Sequence, residues 1–188
     1  MFKGIKDLSI YPQPYRVKLL HWLRRLHNDR TLAPYIYRML FGNDPKPYYG
    51  YCLYHAAVLA KSLGYDALSV IEFGVANGDG LLSIEKHIRE LRKTIDIKFH
   101  VFGFDLETGV PITEDHRDIA FKGWLGKYKM ENKSSLESCL EFSSLIIGDV
   151  TETVPTFPDY QPKGAPVGCI FFDLDLYSST MSAFQIFD

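Results

Sequence analysis

From residue 68 onward the chain alternates short apolar runs with helical or loop sequence, and nearly every run stops on an acid. LSVIEFG (68–74), IKFHVFGFD (97–105), SSLIIGD (143–149) and VGCIFFD (167–173) read as strands: they are short, rich in Val, Ile and Phe, and bounded by turn residues. GDGLLSIEKHIRELRK (78–93) reads as a helix between the first two. Strands alternating with helices predict right-handed βαβ units and a parallel sheet covered on both faces. In such sheets ligands bind just beyond the carboxyl ends of the strands. Asp105, Asp149 and Asp173 stand at those ends, with Glu72 near the end of the first strand. Burying an unpaired carboxylate is costly. Apolar packing does not call for the same costly placement on strand after strand, whereas a binding crevice does.

The rest of the composition sets bounds. At 188 residues, 46% hydrophobic and 23% charged, the chain can build one soluble domain with a real core. Cys52, Cys139 and Cys169 are far apart in sequence, with neither zinc-type spacing nor a disulfide framework. That usage suits a reducing compartment. The first residues lack the continuous apolar core of a signal peptide, and no apolar run approaches the ~20 residues of a membrane span. A cytoplasmic protein with no membrane or nucleic-acid partner is expected. Charge is uneven: residues 1–60 carry nine Lys/Arg and three Asp/Glu, and residues 61–188 carry twelve and twenty, so +6 and −8 give the overall −2. The basic first third is expected to face the rest of its own protein.

That first third reads as helical. YRVKLLHWLRRLH (15–27) places Val17, Leu20 and Leu23 on one face. Residues 31–41 follow with Thr31 as an N-cap, then the turn cluster GNDPKP, then a helix over 48–63 ended by Gly64. Two regions are expected: a helical N-terminal extension over 1–66 and a cofactor-binding domain over 67–188. The apolar faces of the extension would suit packing or a homodimer.

VIEFGVANGDG (70–80) carries the most chemistry. It reads Glu72-x-Gly74-x-Ala76-x-Gly78-x-Gly80 between a strand and a helix. Glycines there permit tight turning and close approach of backbone to a ligand, and the loop delivers a helix amino end. The spacing is not G-x-G-x-x-G, and no Gly-Lys-Ser/Thr follows, so neither a dinucleotide fingerprint nor a P-loop is present. An acid two residues before the first glycine repels a pyrophosphate and suits a ligand with a positive charge.

This segment resembles motif I of the class I S-adenosylmethionine-dependent methyltransferases, E-x-G-x-x-x-G, with Ala76 where that family often has glycine. The cofactor's sulfonium and ammonium groups account for the acid. HVFGFDLETGVP (100–111) looks like the second-strand segment of the macrocin-type O-methyltransferases, and FFDLDLYSST (171–180) closely resembles their I-D-x-D-L-Y-x-S-T segment. LIIGDVTETVP (145–155) is similar to the third-strand segment. The resemblance implies a Rossmann-like three-layer α/β sandwich with a mostly parallel sheet. It implies cofactor contacts from Glu72, Gly74, Ala76 and Gly78, ribose contacts from Asp105 and adenine contacts from Asp149. It also implies Mg²⁺ held by Asp173 and catalysis by Asp173 and Asp175. Asp175 is then a second ligand, a supporting group or a base; alternatively it caps the helix that begins near Tyr177.

The resemblance covers roughly 68–185, which accounts for strands one to four of a seven-stranded fold, so the C-terminal strands are expected to be missing. The activity implied is methyl transfer to a hydroxyl of a small, sugar-like or natural-product-like acceptor. The alternative is a binding or scaffold protein that kept the fold without the catalysis. His116, in TEDHRD, is expected to sit in a solvated charged loop, and Tyr48, Tyr49 and Tyr51 are expected to pack.

Overall fold

The computed structural model describes residues 35–40 and 44–188. The helix expected over 15–27, and Thr31 with it, lie outside the described residues. The chain forms two compact units, 1–47 and 48–188. In the first, helix α1 (Tyr35–Leu40) carries Arg38, which pairs with Asp44 at 3.3 Å.

In the second unit the order is α2 (Pro47–Ser62), β1 (Ala67–Phe73), α3 (Asp79–Leu91), β2 (Lys98–Asp105), a 3₁₀ segment (His116–Trp124), α4 (Lys133–Cys139), β3 (Ser143–Ile147), α5 (Val150–Thr153), α6 (Phe157–Tyr160), β4 (Val167–Phe172) and α7 (Tyr177–Ala183). Short 3₁₀ turns follow α5 and α7. All strand pairs are parallel, in the order β3-β2-β1-β4. The expected α/β Rossmann-like fold is the observed one, and each strand lies within two residues of its expected bounds.

The sheet is covered on both sides, as parallel sheets are. Leu68 through Phe73 of β1 are all buried. Ile71 and Phe73 point to one face, where they join Phe102, Phe104, Ile146, Val154, Phe157 and Ala183. Glu72, between them in sequence, points to the opposite face and meets Tyr49 of α2. Tyr49 also stacks on Phe171 of β4, with ring centroids 3.9 Å apart. Helix α2 ends as Gly64 predicts: Gly64 has φ +84°, and Tyr65 N–H donates to the Ala60 carbonyl at 3.0 Å.

The strand order reverses at β1. The chain moves outward through β2 and β3, then returns to lay β4 against the other edge of β1. The carboxyl ends of β1 and β4 therefore flank the switch point at which such sheets open a crevice. No helix among the described residues is long and apolar enough to cross a membrane.

Candidate functional site

The loop after β1 turns where its glycines allow. Gly74 has φ +87°, and the Cβ of any other residue there would collide with the backbone carbonyl of Asp173. β1 and β4 thus meet tip to tip, and Asp173 N–H donates to the Phe73 carbonyl at 2.8 Å. Gly78, at φ +94°, is the N-cap of α3 and leaves room for Leu136. Ala76 also adopts the left-handed region, φ +48°. This conformation costs an L-residue roughly 1–2 kcal/mol, which explains why glycine suits the position.

Asp105, at the end of β2, holds this loop. Its Oδ2 accepts from Val75 N–H and Ala76 N–H, both at 2.8 Å, and its Oδ1 accepts from Glu107 N–H at 2.6 Å. Carboxylate oxygens offer about four acceptor sites, so these bonds leave room for about one more donor. A second clamp lies on the far side of the loop, where Asn77 Oδ1 accepts from Glu131 N–H at 3.1 Å.

Glu72 lies beneath the loop at 0% exposure. Tyr49 Oη donates to Glu72 Oε1 at 2.9 Å and lies 3.4 Å from Asp173 Oδ2. Glu72 Oε1 fills the space a side chain at Gly80 would take. A carboxylate against the first turn of α3 is also favoured by the helix dipole. The Tyr49 hydroxyl is held protonated far above its ordinary range, first by burial and then by the charges of Glu72 and Asp173.

At the tip of β4, Asp173 is exposed and Asp175 half-buried. Burial, and then the charge of Asp173, raise the Asp175 carboxyl above its ordinary range. The N-cap of α7 is Leu176, which makes no side-chain cap bond, so Asp175 is not the cap. The carboxylate that serves the first turn of α7 comes from elsewhere in the chain. Asp118 Oδ1 accepts from Ser178 N–H at 3.2 Å, and its Oδ2 accepts from Ser178 Oγ at 2.5 Å and Thr113 Oγ1 at 2.9 Å. Beside it Arg117 grips Asp115 and lies 4.0 Å over the Tyr177 ring. The segment between β2 and α4 therefore ties the glycine loop to the helix after Asp175.

Asp149 caps α5, and its Oδ1 accepts from Thr151 N–H at 2.8 Å and Thr151 Oγ1 at 2.7 Å. His116 is 90% exposed as expected, but it opens the 3₁₀ segment rather than lying in a loop. Tyr49 packs as expected, but its bond to Glu72 was not legible, and Asp118 is the residue that sequence reasoning passed over; each acts on a partner far along the chain, without a local signal.

No family model matches the chain, and no curated protein matches it. Solved structures do. A calicheamicin methyltransferase matches with a TM-score of 0.56 and 19% identity, over 94% of this chain and 74% of that one. The O-methyltransferase NovP matches with a TM-score of 0.50 and 19% identity, over 70% of this chain and 55% of its own. At this identity the likeness is one of fold: the sheet is that of Rossmann-like methyltransferases.

The chemistry of the donor set gives a mixed test of the implied groups. Acids at the tips of β2, β3 and β4 suit hydroxyl, amino and cationic partners and repel phosphates. Mg²⁺ takes one or two carboxylates and keeps waters, and Asp173 and Asp175 are the carboxylates at the tip of β4. No cluster of three or more His, Cys, Asp or Glu suited to a metal ion occurs among the described residues.

Proposed function

We propose that the chain binds S-adenosylmethionine at the carboxyl ends of β1 and β2 and supports transfer of its methyl group to a hydroxyl of a small, sugar-like or natural-product-like acceptor. The observation that carries this reading is the seating of the Asp105 carboxylate on the amides of Val75 and Ala76. It places the acid of the second strand against the glycine loop of the first, where one acceptor site remains for a ribose hydroxyl.

Bound there, S-adenosylmethionine supplies an electrophilic methyl on a sulfonium. Gly74, Ala76 and Gly78 shape the backbone that approaches it, and Glu72 supports that backbone from below. Asp149 stands at the tip of β3 for the adenine amine. Asp173 and Asp175 orient the acceptor hydroxyl and take its proton. With Mg²⁺ present, Asp173, helped by Asp175, would hold the ion, whose chemistry is to lower the pKa of a bound hydroxyl.

Calorimetric titration of S-adenosylhomocysteine, with and without Mg²⁺, tests the reading. Saturable binding, weakened at least about tenfold by Asp105→Ala, is expected. A folded protein that binds neither S-adenosylhomocysteine nor S-adenosylmethionine overturns it. Binding with no transfer to any hydroxyl acceptor would leave the scaffold reading in its place.

A further inference from the structure

We propose that Cys52 and Cys169 form a modification site: a dithiol that small-molecule disulfides oxidise to a cross-link between α2 and β4. This inference is independent of the cofactor reading.

Two contacts bracket the pair. At one end the Tyr49 ring stacks on Phe171 at 3.9 Å. At the other, a Cβ on Gly168 would lie 3.5 Å from the Cβ of Ala56. Helix and strand thus run past each other in opposite directions. From Tyr49 to Ala56 the helix rises about 10.5 Å, and from Phe171 back to Gly168 the strand covers about 10 Å, so the two stay in step. Between the brackets, Cys52 lies about 4.5 Å beyond Tyr49, and Cys169 about 6.6 Å before Phe171. They arrive at nearly the same level. Residues 49, 52 and 56 share one helix face, and 169 shares the face of 171. The register shift between Ser69 and Val70 leaves Gly168 as an extra residue, and a Cβ built on it would face Ala56 and Leu68, on the same side.

Cys52 lies close enough to Cys169 to bear on its thiol. Burial, and then Cys52, push the Cys169 thiol up to about 12. Cys52 is exposed and Cys169 is partly covered, so an oxidant meets Cys52 first.

The exchange balances. The Cys52 thiolate attacks a small disulfide RSSR, forming a Cys52–SR mixed disulfide and releasing RS⁻, which takes up the proton Cys52 lost. Cys169 then attacks the Cys52 sulfur, releases RS⁻, and passes its own proton to it. Two protein thiols are oxidised and one RSSR becomes two RSH. The second step waits on deprotonation of a covered thiol, so the mixed disulfide accumulates before the cross-link closes. The closed form ties the turn after Tyr49 to the strand that leads into Asp173.

The test is incubation with oxidised glutathione, removal of excess reagent, thiol titration in denaturant and non-reducing peptide mass mapping. Free thiols should fall from three to one per chain. A peptide pair joining Cys52 to Cys169 should appear, Tm should rise, and dithiothreitol should reverse both. Cys139→Ser should leave the cross-link intact, and Cys52→Ser should abolish it. Stable glutathionylation of Cys52 without closure, a link through Cys139, or three unreacted thiols would each overturn the proposal. The mass readout is taken on the unaltered chain, so it stands even if a variant fails to fold.

Discussion

The Tyr49 hydroxyl donates to the buried Glu72 carboxylate at 2.9 Å while its ring lies flat on Phe171. One side chain therefore couples α2, β1 and β4. Tyr49→Phe keeps the stack and removes the charge-assisted hydrogen bond, so urea unfolding should show a loss of about 1.5–3 kcal/mol. The same contact sets an alkaline limit. An unfolded Tyr49 ionises near 10.0, whereas the folded one holds its proton to higher pH. Stability from this group is full below that value and falls as pH rises beyond it; the slope should be shallower in Tyr49→Phe.

Asp105 should act on the loop even without a ligand. Asp105→Asn replaces one acceptor oxygen by an amide that faces donors. Hydrogen exchange at Val75 and Ala76 should accelerate by roughly tenfold, with a stability loss of about 1–2 kcal/mol. Unchanged exchange at both amides would show that the clamp seen here does not order the loop.

Two positions in that loop should respond in opposite directions. Gly74→Ala meets both a left-handed φ and the Asp173 carbonyl. It should cost at least about 2 kcal/mol in denaturant unfolding. Ala76→Gly relieves a left-handed alanine. Set against the greater entropy of an unfolded glycine, it should be neutral or stabilise by up to about 1 kcal/mol.

Asp118 should give the fold an acid-labile latch. It is inaccessible to solvent. Burial alone would raise its carboxyl, but hydrogen bonds from Ser178 and Thr113 outweigh burial and hold it below its ordinary 3.8. Its contribution is present above that value and is lost as pH falls through the lower folded one. The pH dependence of unfolding between about 5 and 2 should be shallower in Asp118→Asn.

The strands were legible because each apolar run is short and ends on turn residues, and the helix over 78–93 shortened by only one residue at its start and two at its end. Strand order was not legible: nothing local in VGCIFFD says that it pairs with β1 rather than β3. The placement of acids at strand ends was readable, but their partners were not. Glu72 reads as ligand-facing in a linear motif. Its alternation with Ile71 and Phe73 instead directs it under α3, where Tyr49 reaches it from 23 residues away. Asp175 reads as an alternative cap for α7 because caps are usually local; the carboxylate that serves the Ser178 amide is instead Asp118, 60 residues earlier.

The parallel topology also imposes an order of assembly. Ala67 finds its partner Lys98 soon after it is made, whereas Ser69 waits for Val167, after β2 and β3 have been synthesised. Until then one edge of the most buried strand stays open on the nascent chain, a site for mispairing and for chaperone capture. Closing that long loop is the most non-local pairing of the sheet, the kind that slows folding. The meeting of Asp173 with Gly74 depends on it, so the candidate site forms only once β4 has joined the sheet.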